Sequence, residues 1–300
     1  MSKRRTNWHG VFVPMVTPFT KDYKFDEKAC RQIIEHLISD GVNGIIVAGS
    51  TGEWFTMTNE EKIRLFEVAK DQVKGRVTLL GGSSAIATRD AVTLTKACKD
   101  IGLDGTLLLP PPYALPNERE FLTFFETVGA VGLPIMVYNN PTRTSININA
   151  TLAKKLTAIE SIVALKDSVK DLYQMSDTIR SVGDTFAMFC GLEPYAIPCL
   201  ERGAVRIVAM TPNIIGRRAV DLYTHAVSER WSEAHQAEKL IDRLYAVFYA
   251  PGNSAYVVIK ECMNLLGRPA GYPRPPLLPI EETKKKELKL LLEELGLLKK

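Results

Sequence analysis

The feature that most constrains the fold is an alternation that runs for about the first two-thirds of the chain. Short apolar runs rich in Val, Ile and Leu occupy residues 11–16, 44–48, 77–81, 106–109, 134–138, 162–165, 186–189 and 205–209. Between them lie longer stretches of helical period, at 26–38, 59–73, 88–101, 117–128, 149–159, 171–182 and 193–201. The second of these opens on Asn59-Glu60-Glu61, a helix-start signal. Repeated strand and helix with short loops predicts a parallel sheet covered by helices. Eight such units fit an α/β fold of the (β/α)₈ TIM-barrel type. The competing architecture is an open doubly wound sheet. No Gly-x-Gly-x-x-Gly follows the first run and no Gly-x-x-x-x-Gly-Lys-Ser/Thr loop occurs, so the dinucleotide and phosphate-loop versions lack their glycines.

After about residue 212 the strand pattern stops. Residues 214–227, 228–248, 253–266 and 281–297 read as helices. The stretch Gly267-Arg268-Pro269-Ala270-Gly271-Tyr272-Pro273-Arg274-Pro275-Pro276 reads as an extended connector, because proline fixes φ and removes a donor. The expected division is a barrel over residues 1–227 and a helical appendage over 228–300. Apolar faces on such an appendage point to packing or to an oligomer surface.

Composition excludes several classes of function. The chain is 46% hydrophobic and 24% charged, ordinary for a globular protein. A net charge of +4, with basic residues gathered at Lys3-Arg4-Arg5 and in the Lys-rich tail, argues for neither nucleic acid nor membrane as a partner. The five cysteines are scattered and form no Cys-x-x-Cys pair, so they read as reduced core residues. His9, His36, His225 and His235 fall in no ligand-spaced cluster, so no metal site is expected. The start of the chain carries no signal-like apolar segment and no run is long enough to span a bilayer, so a cytoplasmic location is expected.

Reactive groups of a barrel sit where its strands end. The second strand ends in Gly49-Ser50-Thr51-Gly52-Glu53, and the fourth in Pro110-Pro111-Pro112-Tyr113. The fifth ends in Tyr138-Asn139-Asn140-Pro141-Thr142-Arg143, the sixth at Lys166 and the seventh at Gly191. Lys166 closes the run Ile162-Val163-Ala164-Leu165, where an ammonium is partly desolvated. Desolvation disfavours the charged form and turns a lysine into an amine nucleophile able to form a Schiff base. Alone, each motif has a plainer reading. Lys166 could simply end a strand, Ser50-Thr51-Gly52 could be a turn with hydroxyl caps, Tyr113 a packed loop aromatic and Arg143 a surface charge. Their convergence on one face is what favours chemistry.

With these residues in hand, the chain resembles the dihydrodipicolinate synthase / N-acetylneuraminate lyase family of Schiff-base-forming class I lyases. The resemblance rests on Gly49-Ser50-Thr51-Gly52-Glu53, Tyr138-Asn139-Asn140-Pro141, Leu165-Lys166-Asp167-Ser168, and the opening Gly10-Val11-Phe12-Val13-Pro14-Met15-Val16-Thr17-Pro18-Phe19. It implies that Lys166 captures the keto carbon of pyruvate or another 2-oxo acid. Tyr138 is then the acid/base, one of Ser50 and Thr51 relays protons from it, and their loop amides hold the substrate carboxylate. Tyr113 matches a tyrosine that reaches a neighbouring subunit's relay, and Val208 lies near a position that lines the pyruvate pocket. Gly191 is expected beside the same pocket. No metal or organic cofactor is implied, because the imine is the electron sink. Small 2-oxo acids and aldehydes are the expected partners, and a homotetramer of paired dimers the expected assembly.

The second substrate is divided. Arg143 matches the arginine that binds the carboxylate of aspartate semialdehyde in the synthases, and a guanidinium suits a carboxylate. Ser50 and Asp171-Leu172-Tyr173-Gln174-Met175 instead resemble N-acetylneuraminate lyase, and Ile86 stands where synthases carry asparagine. A 2-keto-3-deoxy sugar-acid aldolase and a dehydratase or deaminase of the same family stay open. So does a non-catalytic barrel that binds a 2-oxo acid, although such a sensor has no need of both Lys166 and Tyr138.

Overall fold

The computed structural model describes residues 6–204 and 206–299. The basic residues Lys3-Arg4-Arg5 and Val205, at the start of the expected eighth strand, lie outside the described residues. Eight strands close into one parallel barrel: β1 (Gly10–Pro14), β2 (Gly44–Val47), β3 (Thr78–Gly82), β4 (Gly105–Leu108), β5 (Ile135–Asn139), β6 (Ile162–Asp167), β7 (Ala187–Cys190) and β8 (Arg206–Val208). The ring shuts where Gly10, Val11 and Phe12 of β1 pair with Arg206, Ile207 and Val208 of β8. The expected TIM barrel is therefore the fold, and each expected strand is present within two residues of its expected ends.

The intervening helices are α1 (Glu27–Ser39), α2 (Asn59–Val73), α3 (Thr88–Ile101), α4 (Glu118–Gly129), α5 (Pro141–Thr144), α6 (Ala150–Leu156), α7 (Leu172–Val182) and α8 (Ala196–Glu201). Asp26, Thr58, Asn117, Asn149 and Asp171 cap five of them by accepting from first-turn amides. Beyond β8 come α9 (Pro212–Ile215), α10 (Arg217–Val227), α11 (Trp231–Phe248), α12 (Ala255–Leu265) and α13 (Glu282–Glu294). The single helix expected over 214–227 is broken, because Gly216 takes φ +53° and separates α9 from α10. The one-turn α5, opened by Pro141, lies outside the expected helical stretches.

Alternation along the strands separates two cores. Phe12, Ile46, Leu80, Met136, Ala164, Phe189 and Val208 fill the barrel interior. Their strand neighbours Val11, Ile45, Val47, Leu165 and Met188 pack outward under the helices. The outer core runs on without a break into α10–α13 through Leu222, Leu244, Phe248, Ile259 and Leu288. The five cysteines are all free and buried.

Candidate active site

One register slip decides which way Lys166 faces. β6 pairs with β5 as Ile135 to Ile162, then Met136 to Ala164, which leaves Val163 as an extra residue. Ile135 and Ile162 point outward, whereas Met136 and Ala164 point inward. An unbroken register would alternate Ile162 out, Val163 in, Ala164 out, Leu165 in and Lys166 out. The extra residue inverts this parity, so Lys166 pairs with Tyr138 on the inner face.

Lys166 is 5% exposed and its Nζ lies 3.8 Å from the centroid of the Tyr138 ring. Tyr138 is itself 7% exposed. Asn140 Nδ2 donates to its phenol oxygen at 2.8 Å. Ser168 Oγ, buried and without a well-aligned hydrogen-bond partner, sits against the same phenol. Burial pushes this phenol up, but the nearby Lys166 ammonium, the adjacent Ser168 hydroxyl and the hydrogen bond from Asn140 outweigh it, leaving Tyr138 below its ordinary value. A phenol lowered by a neighbouring amine is suited to pass protons to and from a group bound to that amine.

Above the pair opens a cavity of about 350 Å³ whose wall includes Lys166, Tyr138, Ser50, Thr51, Arg143 and Gly191. Gly191 is there for want of room. A Cβ on it would lie 2.2 Å from Ser168 Oγ and 3.0 Å from Lys166 Cε. Arg143 is exposed, with its guanidinium carbon 5.7 Å from the Tyr256 ring centroid.

Two expected residues lie elsewhere. Val208 is in the barrel interior, and the residue of its strand end that reaches the cavity is Met210. Tyr113 is 89% exposed, has φ +73°, and lines a separate, more open cavity of about 540 Å³ beside the first.

Sequence reasoning missed the wall contributed by the last helices. Tyr245 of α11, Tyr249 at its C-terminal cap and Tyr256 of α12 enter the cavity together with Tyr195 and Lys170. Three tyrosines within twelve residues, two of them spaced i, i+4 on one helix face, were the available signal. Beneath them the Glu193 carboxylate joins three elements. It accepts from the Met210 amide at 2.7 Å, the Thr211 amide at 3.2 Å, the Thr211 hydroxyl, and Tyr245 Oη at 2.9 Å. Burial outweighs these bonds and raises the carboxyl above its ordinary value.

Glu53, which follows the Ser50-Thr51-Gly52 turn at φ +57°, is fully buried and ion-paired with Lys260 of α12. It also accepts from the Arg274 amide at 3.0 Å, and Arg274 in turn pairs with Glu61 at 2.7 Å. The turn at the end of β2 and the helix bearing Tyr256 are thus tied to one buried carboxylate. Among the described residues no group of three or more His, Cys, Asp or Glu side chains is placed to hold a metal ion.

The model of the dihydrodipicolinate synthetase family matches residues 7–295. An uncharacterized DapA-like lyase of Rhizobium meliloti is 44% identical over 93% of both chains. The 4-hydroxy-tetrahydrodipicolinate synthase of Oceanobacillus iheyensis is 32% identical over 96% of this chain and 97% of its own. Among solved structures, dihydrodipicolinate synthase from Cyanidioschyzon merolae with lysine bound superposes with a TM-score of 0.91 at 31% identity, covering 97% of this chain and 99% of that one. YagE, a prophage protein of the dihydrodipicolinic acid synthase family from E. coli K12 in complex with pyruvate, gives 0.93 at 27% identity over 98% and 100%. With a closed (β/α)₈ barrel and a family match over nearly its whole length, the chain belongs to the dihydrodipicolinate synthetase family and is a lyase.

Proposed function

We propose that the protein is a Schiff-base lyase that makes or breaks a carbon–carbon bond on pyruvate or a related 2-oxo acid. The observation that carries this reading is the inward Lys166 with its Nζ 3.8 Å from the Tyr138 ring centroid, at the floor of a cavity. The Lys166 amine adds to the keto carbon and water leaves, forming the iminium. A proton is then taken from the neighbouring carbon, and the electron pair of that C–H bond moves toward the iminium nitrogen, giving an enamine. The enamine carbon attacks an aldehyde; cleavage is the reverse. Tyr138 carries the protons, while Ser50 and Thr51 supply hydroxyls and loop amides for the substrate carboxylate. The imine nitrogen is the electron sink, so this chemistry asks for no metal or organic cofactor.

The specific reading is 4-hydroxy-tetrahydrodipicolinate synthase-like condensation of pyruvate with aspartate semialdehyde. It is supported by Arg143, a guanidinium in the cavity wall that suits the second carboxylate. We also infer a cytoplasmic homotetramer. Exposed Phe55, Ile86 and Tyr113 around the outer cavity favour an apolar partner face. Among the described residues no helix is long and apolar enough to cross a membrane.

Pyruvate consumption, followed with aspartate semialdehyde as the second substrate, tests the specific reading. Turnover is expected in wild type, and Arg143→Ala should raise the KM for the aldehyde by ~10-fold or more, the loss of a charge-assisted contact of about 1.5–3 kcal/mol. No turnover with this pair, together with pyruvate release from N-acetylneuraminate or a 2-keto-3-deoxy sugar acid, would reassign the second substrate.

A further inference from the structure

Glu193 is only 2% exposed, yet it does not itself line the cavity. A carboxylate buried this deeply is costly unless its partners need it there. Those partners come from three places. Its own loop, after β7, puts Leu192 and Pro194 on either side of it in the cavity wall. The end of β8 gives it the Met210 amide, the Thr211 amide and the Thr211 hydroxyl. From α11, Tyr245 Oη donates to the carboxylate at 2.9 Å and accepts from the Glu193 amide at 3.4 Å. Met210 and Tyr245 line the cavity as well. The donors of Met210, Thr211 and Tyr245 are thus spent on Glu193, and this stretch of wall offers a ligand the carbon surface of Leu192, Pro194, Met210 and the Tyr245 ring.

The stretch stands above the floor. Met210 is two residues beyond Val208, which is still in the barrel interior, and Tyr245 comes from a helix outside the barrel repeat. A 2-oxo acid bonded to Lys166 occupies the floor, so a second substrate meets this wall. We propose that Glu193 is a positioning residue for that second substrate. Through Met210 and Tyr245 it fixes an apolar face that packs against the carbon chain of an aldehyde whose carboxylate Arg143 holds. This rests on the Schiff-base reading above and adds to it the part of the site that orients the aldehyde. A molecule held only at its carboxylate swings about that contact, whereas bond formation needs the enamine carbon and the aldehyde carbon held about 3–3.5 Å apart. Formation of the iminium and enamine comes earlier and does not use this wall.

The test separates the two half-reactions in the full-length protein, with wild type beside Glu193→Gln and Thr211→Val. Glutamine keeps an acceptor for the two amides but sets an NH₂ against a donor; valine removes one donor and touches no part of the cavity. Borohydride trapping with pyruvate alone reads iminium formation. Pyruvate consumption with aspartate semialdehyde or succinic semialdehyde reads the condensation. Both variants are expected to trap pyruvate as wild type does. The kcat/KM for the aldehyde is expected to fall by about 10²-fold in Glu193→Gln, the scale of a small misplacement remote from the chemistry, and by less in Thr211→Val. Trapping that falls in step with condensation would mean general damage and overturn the proposal, as would unchanged condensation with trapping intact. Should Glu193→Gln not fold, Thr211→Val decides by the same two readouts. Wild type that traps pyruvate but condenses it with neither semialdehyde would overturn the role of this wall and leave the lyase reading standing. Wild type that does not trap pyruvate would overturn both.

Discussion

Asp167 follows Lys166 and points away from the cavity, where Asn139 Nδ2 at 3.0 Å and the Val169 amide at 3.2 Å donate to one carboxyl oxygen. The other oxygen is buried with no partner. Burial, outweighing those bonds, pushes this carboxyl up from 3.8 to about 6. A carboxyl raised on folding binds its proton more tightly in the native state, so its stabilising contribution is complete below pH ~4 and lost as pH rises through ~6. The shift is worth ~3 kcal/mol. Asp167→Asn should therefore be at least as stable as wild type at pH 7.5, with its advantage fading toward pH 4.5, as urea unfolding at the two pH values would measure. An equal loss at both would contradict this account of Asp167. The chain tolerates the cost where the neighbouring position must be Lys166. From sequence, Lys166 was legible as the wrong residue for an apolar run. Its inward direction was not, because a strand buried on both faces has no alternation from which to read a one-residue slip.

Among the elements, β2 and α12 are the pair whose relation matters most to the site. Glu53 holds the end of the Ser50-Thr51 turn and Lys260 holds the helix that carries Tyr256. Lys260 also donates to the Tyr272 carbonyl at 2.8 Å. Burial, only partly offset by Glu53, depresses its ammonium to about 8. Removing one partner leaves the other charge buried and alone. Lys260→Met should cost about 3–5 kcal/mol, and Glu53→Gln/Lys260→Met less than the sum of the two single changes, as a double-mutant cycle in urea would show. Additive losses would contradict the pairing. None of this was readable beforehand. Glu53 stood in a recognised motif, but its partner is a lysine more than two hundred residues away, inside a helix whose pattern promised only packing. The linker expected at 267–276 is likewise more than a connector, since Arg274 brings it back onto Glu53 and Glu61.

For the whole molecule, the repeat of short apolar runs and helical stretches was enough to give the closed barrel, because each unit can bury its apolar face only against its neighbours and the helices outside. Strand ends then located the site, which is why Ser50, Thr51, Tyr138, Arg143, Lys166 and Gly191 could be named from position and all line one cavity. The missing part of the wall, Tyr245, Tyr249 and Tyr256, comes from helices beyond the barrel repeat, and no strand-end rule reaches them. Val208 fell one step short of the cavity for a related reason: at a strand end, a shift of two residues separates the barrel interior from the wall of the site. The central claim is that this barrel presents one amine to a 2-oxo acid. The measurement that tests it most directly is intact mass after borohydride reduction with pyruvate, wild type beside Lys166→Ala. One pyruvate-derived adduct per chain in wild type and none in Lys166→Ala is the expected result. An adduct that persists in Lys166→Ala, or no adduct in wild type with pyruvate or any larger 2-oxo acid, would contradict it.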